Sequence, residues 1–359
     1  MIKLSLCMIV KNEEDTLARC LDSVKDIVDE IIIVDTGSTD KTKEVAAKYT
    51  EKIYDFKWVY DFSKARNYSF SKATKDYIMW LDADDVVLDQ DRKKMKVLKK
   101  ILTPDIDMVT FKYNLDVDEN GVPVLSFRRE RIFKRSKNYK WISPIHEVIP
   151  KSGKILDEDI AITHKKIHSS DPNRNLQIFE KMKEKNILLD TRQTFYYARE
   201  LMFAKRYDES IKEYMNFLSK TDAWVENLIS AYIDLYEIYM NKEDDKKAIE
   251  YLLKTFLLDT PRAEVCSKLG IYFVTKGKYT IAIYWFNEAI SKEYDISSGG
   301  FYIKDYYDFI PYLYLGICYY YLSDINKAIY YNEIAGNIKP THPSYLNNKE
   351  IYIKFKEHI

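Results

Sequence analysis

The second half of the chain repeats itself. Gly270 is followed twelve residues on by Ala282 and seven residues later by Ala289, and Gly316, Ala328 and Ala335 stand at the same offsets. The surrounding segments, LGIYFVTKGKYTIAIYWFNEAI and LGICYYYLSDINKAIYYNEIA, place small residues where two paired helices would cross. Small residues there let the backbones approach, and the interleaved aromatics fill the groove between them. Weaker copies put Ala198, Ser210 and Phe217, then Tyr236, Ala248 and Thr255, at the same spacing. The units start at 198, 236, 270 and 316, in steps of 38, 34 and 46 residues. A repeat of about 34 residues reads as a stack of helix pairs. The long last step is explained by an inserted loop at Ser297–Asp308. Four units are expected over roughly 191–341, with Pro261 and Pro340 ending two of them.

The first half has a different rhythm. Leu4–Val10 and Ile31–Val34 are apolar runs of strand length, and Lys52–Phe56 and Tyr77–Leu81 read as two more strands. Between them, Glu13–Val28, Lys41–Lys48 and Phe62–Ala73 have helical spacing. Strands alternating with helices imply a mostly parallel sheet. After Leu81 the pattern becomes strand-rich. Met108–Leu115 and Val122–Phe127 flank Asn120-Gly121, a hairpin signal. Arg131–Arg135, Ile145–Ile149 and Ile155–Ile162 would complete a cap on the sheet. Asp171-Pro172-Asn173 then breaks the chain. The expected domains are 1–170, a linker helix at 171–190, and helical repeats over 191–359.

In an open parallel sheet, ligands bind at the carboxyl ends of the strands. There the sequence places four motifs in order: CMIVKNEE, IIIVDTGSTDKT, DFSKARN and WLDADD. Two carboxylates one residue apart, Asp82 and Asp84, would hold a divalent cation, with phosphate oxygens filling its remaining positions. An acidic turn capping the next helix is the plainer reading of those residues. Downstream stand His146-Glu147, then Asp157-Glu158-Asp159, then His164. A basic run, Arg128, Arg129, Arg131, Lys134 and Arg135, lies between. His164 reads about equally as a metal ligand or a satisfied structural residue, and His146 about equally as a catalytic residue or a surface or satisfied one. The basic run reads equally as a diphosphate contact or a solvated strand face.

The four motifs together resemble the family 2 inverting glycosyltransferases. The 12-and-7 repeat resembles the tetratricopeptide repeat. The fold implied is an α/β GT-A domain followed by an all-α tetratricopeptide domain, as in the sublancin-type peptide S-glycosyltransferases and related lipopolysaccharide sugar transferases. Carried onto matching positions, the resemblance puts Val10, Asn12 and Glu13 beside the nucleotide base and ribose, and Asp35 on the uracil ring. Gly37 and Ser38 form the tight turn after it. Arg66 faces the nucleotide, Asp82 and Ala83 lie at the ribose and metal, and Asp84 ligates the metal. His164 is a candidate further ligand. Glu147, with His146, stands in for the acidic pair that most family members use as base, which has no clear copy here. The implied activity is Mg²⁺- or Mn²⁺-dependent transfer of a hexose from a UDP-sugar. A peptide or protein side chain, Cys or Ser, is the favoured acceptor over a lipopolysaccharide or cell-surface glycan. A non-catalytic repeat scaffold and a nucleotidyltransferase are the readings from other classes. The second would need a Gly-rich basic loop after the first strand, which KNEED does not supply.

Composition narrows the partners. The 56 basic and 56 acidic residues cancel, so nothing in the balance calls for nucleic acid. The four cysteines form no CxxC pair and lie in apolar patterns, as reduced buried thiols would. No apolar run is long enough for a transmembrane helix, and the N-terminus lacks a signal-peptide layout, so a cytoplasmic location is expected. Consecutive Tyr319, Tyr320 and Tyr321 sweep around a helix, so some of the tyrosines must face outward. Exposed aromatics favour interfaces, and a homodimer through the C-terminal repeats is expected.

Overall fold

The computed structural model describes residues 1–117, 123–167, 171, 173–293 and 303–357. The chain divides into two compact units, Met1–Glu213 and Tyr214–Ile359.

The first unit is built on an eight-stranded mixed sheet. Its strands are β1 (Leu4–Val10), β2 (Glu30–Asp35), β3 (Ile53–Asp55), β4 (Tyr77–Trp80), β5 (Asp85–Val86), β6 (Met108–Val117), β7 (Pro123–Lys134) and β8 (Ile155–His164). They lie in the order β3-β2-β1-β4-β7-β6-β8-β5. The first four are parallel, with Val10 opposite Asp35 and Asp35 opposite Asp55, so their carboxyl ends share one edge. β7 joins β4 antiparallel, and β6, β8 and β5 extend from it. The strand-rich segment therefore widens the sheet instead of capping it. Arg131–Arg135 is not a separate strand, because one long β7 carries most of it. Ile145–Ile149 is not a strand either. It is a turn segment with one bridge, Ile142 to Val148, and left-handed residues at Ser143 and His146. The expected Asn120-Gly121 turn lies outside the described residues, as do Pro172 and the first part of the Ser297–Asp308 insertion.

Helices α1 (Leu17–Asp22), α2 (Thr42–Ala47), α3 (Phe62–Ser71) and α4 (Asp89–Ile101) pack on this sheet. The first is much shorter than its apolar pattern. Beyond Asp22 the chain tightens into i to i+3 bonds, such as Val24 N to Leu21 O and Ile27 N to Val24 O. The apolar face nevertheless stays buried at Val24 and Ile27. Met95 and Leu98 anchor α4 in the same core, which holds the inward residues of β1, β2 and β4. Helix α5 (Arg174–Glu184) buries Leu176, Ile178, Phe179 and Met182 against Ile145, Tyr197 and Leu201.

The helix pairs follow: α6 (Thr191–Phe203) with α7 (Tyr207–Leu218), α8 (Val225–Asn241) with α9 (Asp245–Lys254), α10 (Ala263–Thr275) with α11 (Tyr279–Ile290), and α12 (Phe309–Tyr321) with α13 (Ile325–Ile338). The last helix is α14 (Pro343–Glu357). The division between units falls within α7. All twelve repeat positions read from the sequence are buried. A Cβ on Gly270 would lie 2.5 Å from the Phe286 ring, which is why the strongest copies use glycine there. The turn inside each pair is also repeated. Lys205, Glu243, Gly277 and Ser323 are all left-handed, each following its repeat start by seven residues. Each donates its N–H three residues back, and the next residue donates five back, as in Glu243 N to Met240 O and Asp244 N to Tyr239 O. This is the Schellman ending of a helix. The four cysteines are buried and unpaired. Among the described residues, no helix is long and apolar enough to cross a membrane.

Of the last repeat's seven tyrosines, Tyr312, Tyr314, Tyr319, Tyr320 and Tyr331 are half-buried. Tyr319 stacks on Tyr331, and Tyr320 packs on Tyr352 and Phe355 of α14. Tyr321 and Tyr330 are the exposed ones of the seven.

Candidate active site

At the ends of β1 and β2, backbone and side chains are laced together. Thr36 donates to the Val10 carbonyl from both N–H and hydroxyl, at 2.9 and 3.0 Å. Asn12, itself left-handed, accepts from Thr39 N at 2.8 Å and donates its own N–H to Ser38 Oγ at 2.9 Å. Glu13 N donates to Thr42 Oγ1 at 2.7 Å. Asp35 Oδ1 accepts from Gly37 N and Ser38 N at 2.8 and 2.9 Å. Its other oxygen, Oδ2, is buried with no partner among the described residues, on a residue only 1% exposed. A buried carboxylate oxygen left in that state is costly unless a ligand donor meets it.

At the end of β4, Arg66 from α3 holds two acids. Its Nη2 donates to Asp82 Oδ1 at 2.8 Å and its Nε to Glu147 Oε1 at 2.6 Å. Asp61 caps α3 by accepting from Lys64 N, which fixes the helix start. Asn67 then clamps the backbone of Trp141 through both an N–H and a carbonyl contact at 2.9 Å, delivering the segment that carries Glu147. Trp80 and Trp141 lie under the guanidinium at 4.7 and 5.0 Å. Burial opposes the Arg66 charge, but Asp82 and Glu147 hold it above the ordinary range. Burial likewise opposes ionisation of Asp82, and Arg66 first, then Arg131, keeps it below the usual carboxylate range. Arg66 is therefore a buried keystone and not an exposed helical arginine.

Beside this set lie Asp84, Asp85 and His164, brought together because β5 pairs with β8 and sets Asp85 opposite His164. His164 Nδ1 stands 3.3 Å from Asp84 Oδ1 and 3.7 Å from Asp85 Oδ1. One donor atom from each of the three fits within 4.8 Å. Asp85 Oδ1 is buried without a hydrogen-bond partner. A hard-oxygen and imidazole set with an orphaned carboxylate oxygen fits a divalent cation. The neighbouring carboxylates, Asp84 first and then Asp85, push His164 up to about 10, against the effect of burial. A cation and that proton compete for the same nitrogen. Ala83, between the aspartates, is buried.

The neighbours His146 and Glu147 part company. His146 Nε2 pairs with Glu200 Oε1 at 3.0 Å, its ring stacks on Tyr196 at 4.0 Å, and its carbonyl accepts from Arg192. Only Glu147 joins Arg66 and Asp82. Asp85, Trp80 and Tyr113 belong to this neighbourhood but do not stand out as site residues in the sequence, and Arg131, read there only as one of a basic run, joins them. The third acid of WLDADD was the one signal for Asp85. Arg129 is half-buried over Trp80 at 5.4 Å, and among the described residues no carboxylate lies within ion-pair distance of it.

Residues 5–160 match the family described as Glycosyl transferase family 2. The chain is 36% identical over 152 residues to a TPR repeat-containing protein of Synechococcus elongatus, covering 42% of this chain and 36% of that protein. It is 28% identical over 221 residues to the SPbeta prophage-derived glycosyltransferase SunS of Bacillus subtilis, covering 57% of this chain and 50% of that one. The chain thus spans half or less of the length of these two relatives. The solved structure of S. aureus TarS 1-349 in complex with UDP-GlcNAc aligns with a TM-score of 0.36 at 13% identity, covering 70% of this chain and 90% of that one.

Proposed function

We propose that the chain, whose residues 5–160 match Glycosyl transferase family 2 and are followed by helix pairs, transfers a hexose from a UDP-sugar to a cysteine or serine side chain of a peptide or protein, with inversion at the anomeric carbon. The observation that carries this reading is the donor set at the β4 end, Asp84, Asp85 and His164, beside the Arg66–Asp82–Glu147 cluster.

The unpartnered Asp35 Oδ2 is suited to accept the imide N–H of uracil. The Asn12–Ser38–Thr39 bonds hold the turn against which the ribose would rest. A bound divalent cation supplies Lewis-acid stabilisation of the departing diphosphate. Asp84 and His164 are its proposed ligands, and Asp85 Oδ1 is added to them. The imidazole in the set favours Mn²⁺ over Mg²⁺. Arg129 would meet the diphosphate, because its guanidinium has no acid of its own. Arg66 orients Asp82 and Glu147, and Glu147 takes the acceptor proton when the nucleophile is a hydroxyl. A thiol needs less help, since a few per cent is already thiolate near neutral pH. Arrays of helix pairs present extended curved surfaces, which suit an extended peptide.

The deciding experiment is mass spectrometry of candidate peptides and glycans after incubation with a panel of nucleotide sugars and Mn²⁺. Hexose addition to a peptide is expected. Addition to a glycan alone would overturn the acceptor assignment, and nucleotidyl addition would overturn the reaction class.

Two consequences are measurable directly. Asp35→Ala is expected to weaken UDP binding by about 1–3 kcal/mol, the cost of an unmade buried hydrogen bond. Calorimetry with UDP and GDP checks this, and a wild type that prefers GDP would contradict the uracil contact. The exposed faces at Tyr321 and Tyr330 support a homodimer through the last repeats. Sedimentation of the full chain at micromolar concentration should then give a dimer, and a monomer would refute it.

A further inference from the structure

Arg131 has no task in this reading, yet it is the largest fully buried side chain of the described residues, with 0% exposure. Its position follows from a defect in the sheet. Val109 pairs with Ile132 and Thr110 with Glu130, so Arg131 is an extra residue in β7 with no partner on β6. Such a bulge re-aims one side chain, and bulges concentrate beside active sites. Here it sends the guanidinium between the rings of Trp80 and Tyr113, at 3.9 and 4.4 Å.

The guanidinium is poorly satisfied. Nη1 donates to Asp85 Oδ2 at 3.1 Å and to the Trp80 carbonyl at 3.4 Å, while Nε and Nη2 have no acceptor. For stability alone, a well-packed apolar pair would serve as well as this buried ion pair or better. The position of Asp85 offers a reason for an arginine here. Asp85 Oδ2 also accepts the N–H of Asp82 at 3.1 Å, so one carboxylate oxygen ties Arg131 to the start of the Asp82–Asp84 turn. The other, Oδ1, is turned toward His164.

We infer that Arg131 is a positioning residue for the cation site: by fixing Asp85 Oδ2 it locks the Asp82–Asp84 turn and leaves Asp85 Oδ1 facing the ion shared with Asp84 and His164. The inference rests on the cation reading above. Asp82 is already paired with Arg66, but without Arg131 the buried Asp85 would sit beside Asp82 and Asp84 with only His164 to offset it before any ion arrived. Arg131 keeps them assembled, so the site is preorganised.

The test uses the full chain with UDP and follows free Mn²⁺ by its electron paramagnetic resonance signal. Arg131→Lys keeps the charge but loses the forked geometry. Its Mn²⁺ affinity should fall by about 10-fold or more, the usual effect of removing a partner behind a ligand. Metal-free uridine binding, which depends on Asp35, should be unchanged. A purely structural role would lower the melting temperature and leave Mn²⁺ affinity alone. If the lysine variant does not fold, Arg131→Gln, which keeps a donor for Asp85 Oδ2 without the fork and leaves every proposed ligand in place, is the second variant. It should fold and show the same loss. Wild-type Mn²⁺ affinity in either folded variant overturns the inference. A wild type that binds no Mn²⁺ with UDP instead overturns the cation reading beneath it.

Discussion

Asp84→Ala is expected to lower turnover by ~10²-fold or more, because under the proposed function it removes a hard ligand from the ion that would stabilise the departing diphosphate. The fold should survive. Asp84 is only half-buried, and among the described residues its carboxylate pairs with His164 alone, so no scaffold is built on it. Donor hydrolysis and transfer, measured with and without EDTA, check this. Chelation should reduce wild-type activity to the level of the variant and leave the variant where it was. Full activity in the chelated wild type and in the variant would remove the metal from the mechanism.

Arg66→Met is expected to be costly in a second way. Methionine replaces the apolar stem of the side chain but leaves Glu147 buried without its cation and Asp82 without its partner. Breaking a fully buried pair costs about 3–5 kcal/mol. The side chain of Glu147 is 10% exposed and that of Asp82 is 34% exposed, so water relieves part of the loss. We expect about 2–4 kcal/mol of destabilisation in urea unfolding. Adding Glu147→Gln should recover part of it, because the stranded charge is then gone. A loss below about 1 kcal/mol would show that the cluster is not the buried keystone the geometry describes.

The sequence shows these features unevenly, for physical reasons. The parallel quartet was legible because apolar runs and helical spacing are local signals, and Asp35, Asp82 and Asp84 stand at strand ends in the chain itself. Asp85 looked like one more acid in a turn. Its importance comes from pairing with β8, 79 residues later in the sequence, which no local pattern reveals. Arg131 sat in a run of basic residues that read equally as a solvated strand face. Its burial depends on a bulge, and a bulge is a matter of register between two strands. His146 and Glu147 looked like a pair because they are adjacent. A left-handed residue at His146 turns one toward α6 and the other toward Arg66. The helix-pair positions were legible down to single residues, since close packing at Gly270 and Ala282 leaves room for almost nothing else.

The repeated Schellman turns have a consequence for how this chain can change in length. From each repeat start, the left-handed residue comes seven positions later and the next small residue comes five after that, in all four units. The steps of 38, 34 and 46 residues therefore vary only between pairs, never within one. One residue gained inside a pair would rotate the following helix by about 100° and turn its small residues away from their partners. One gained after a second helix lengthens a connection at little cost. A library of single-residue insertions across the repeats should divide along that line, with survivors clustered in the inter-pair segments.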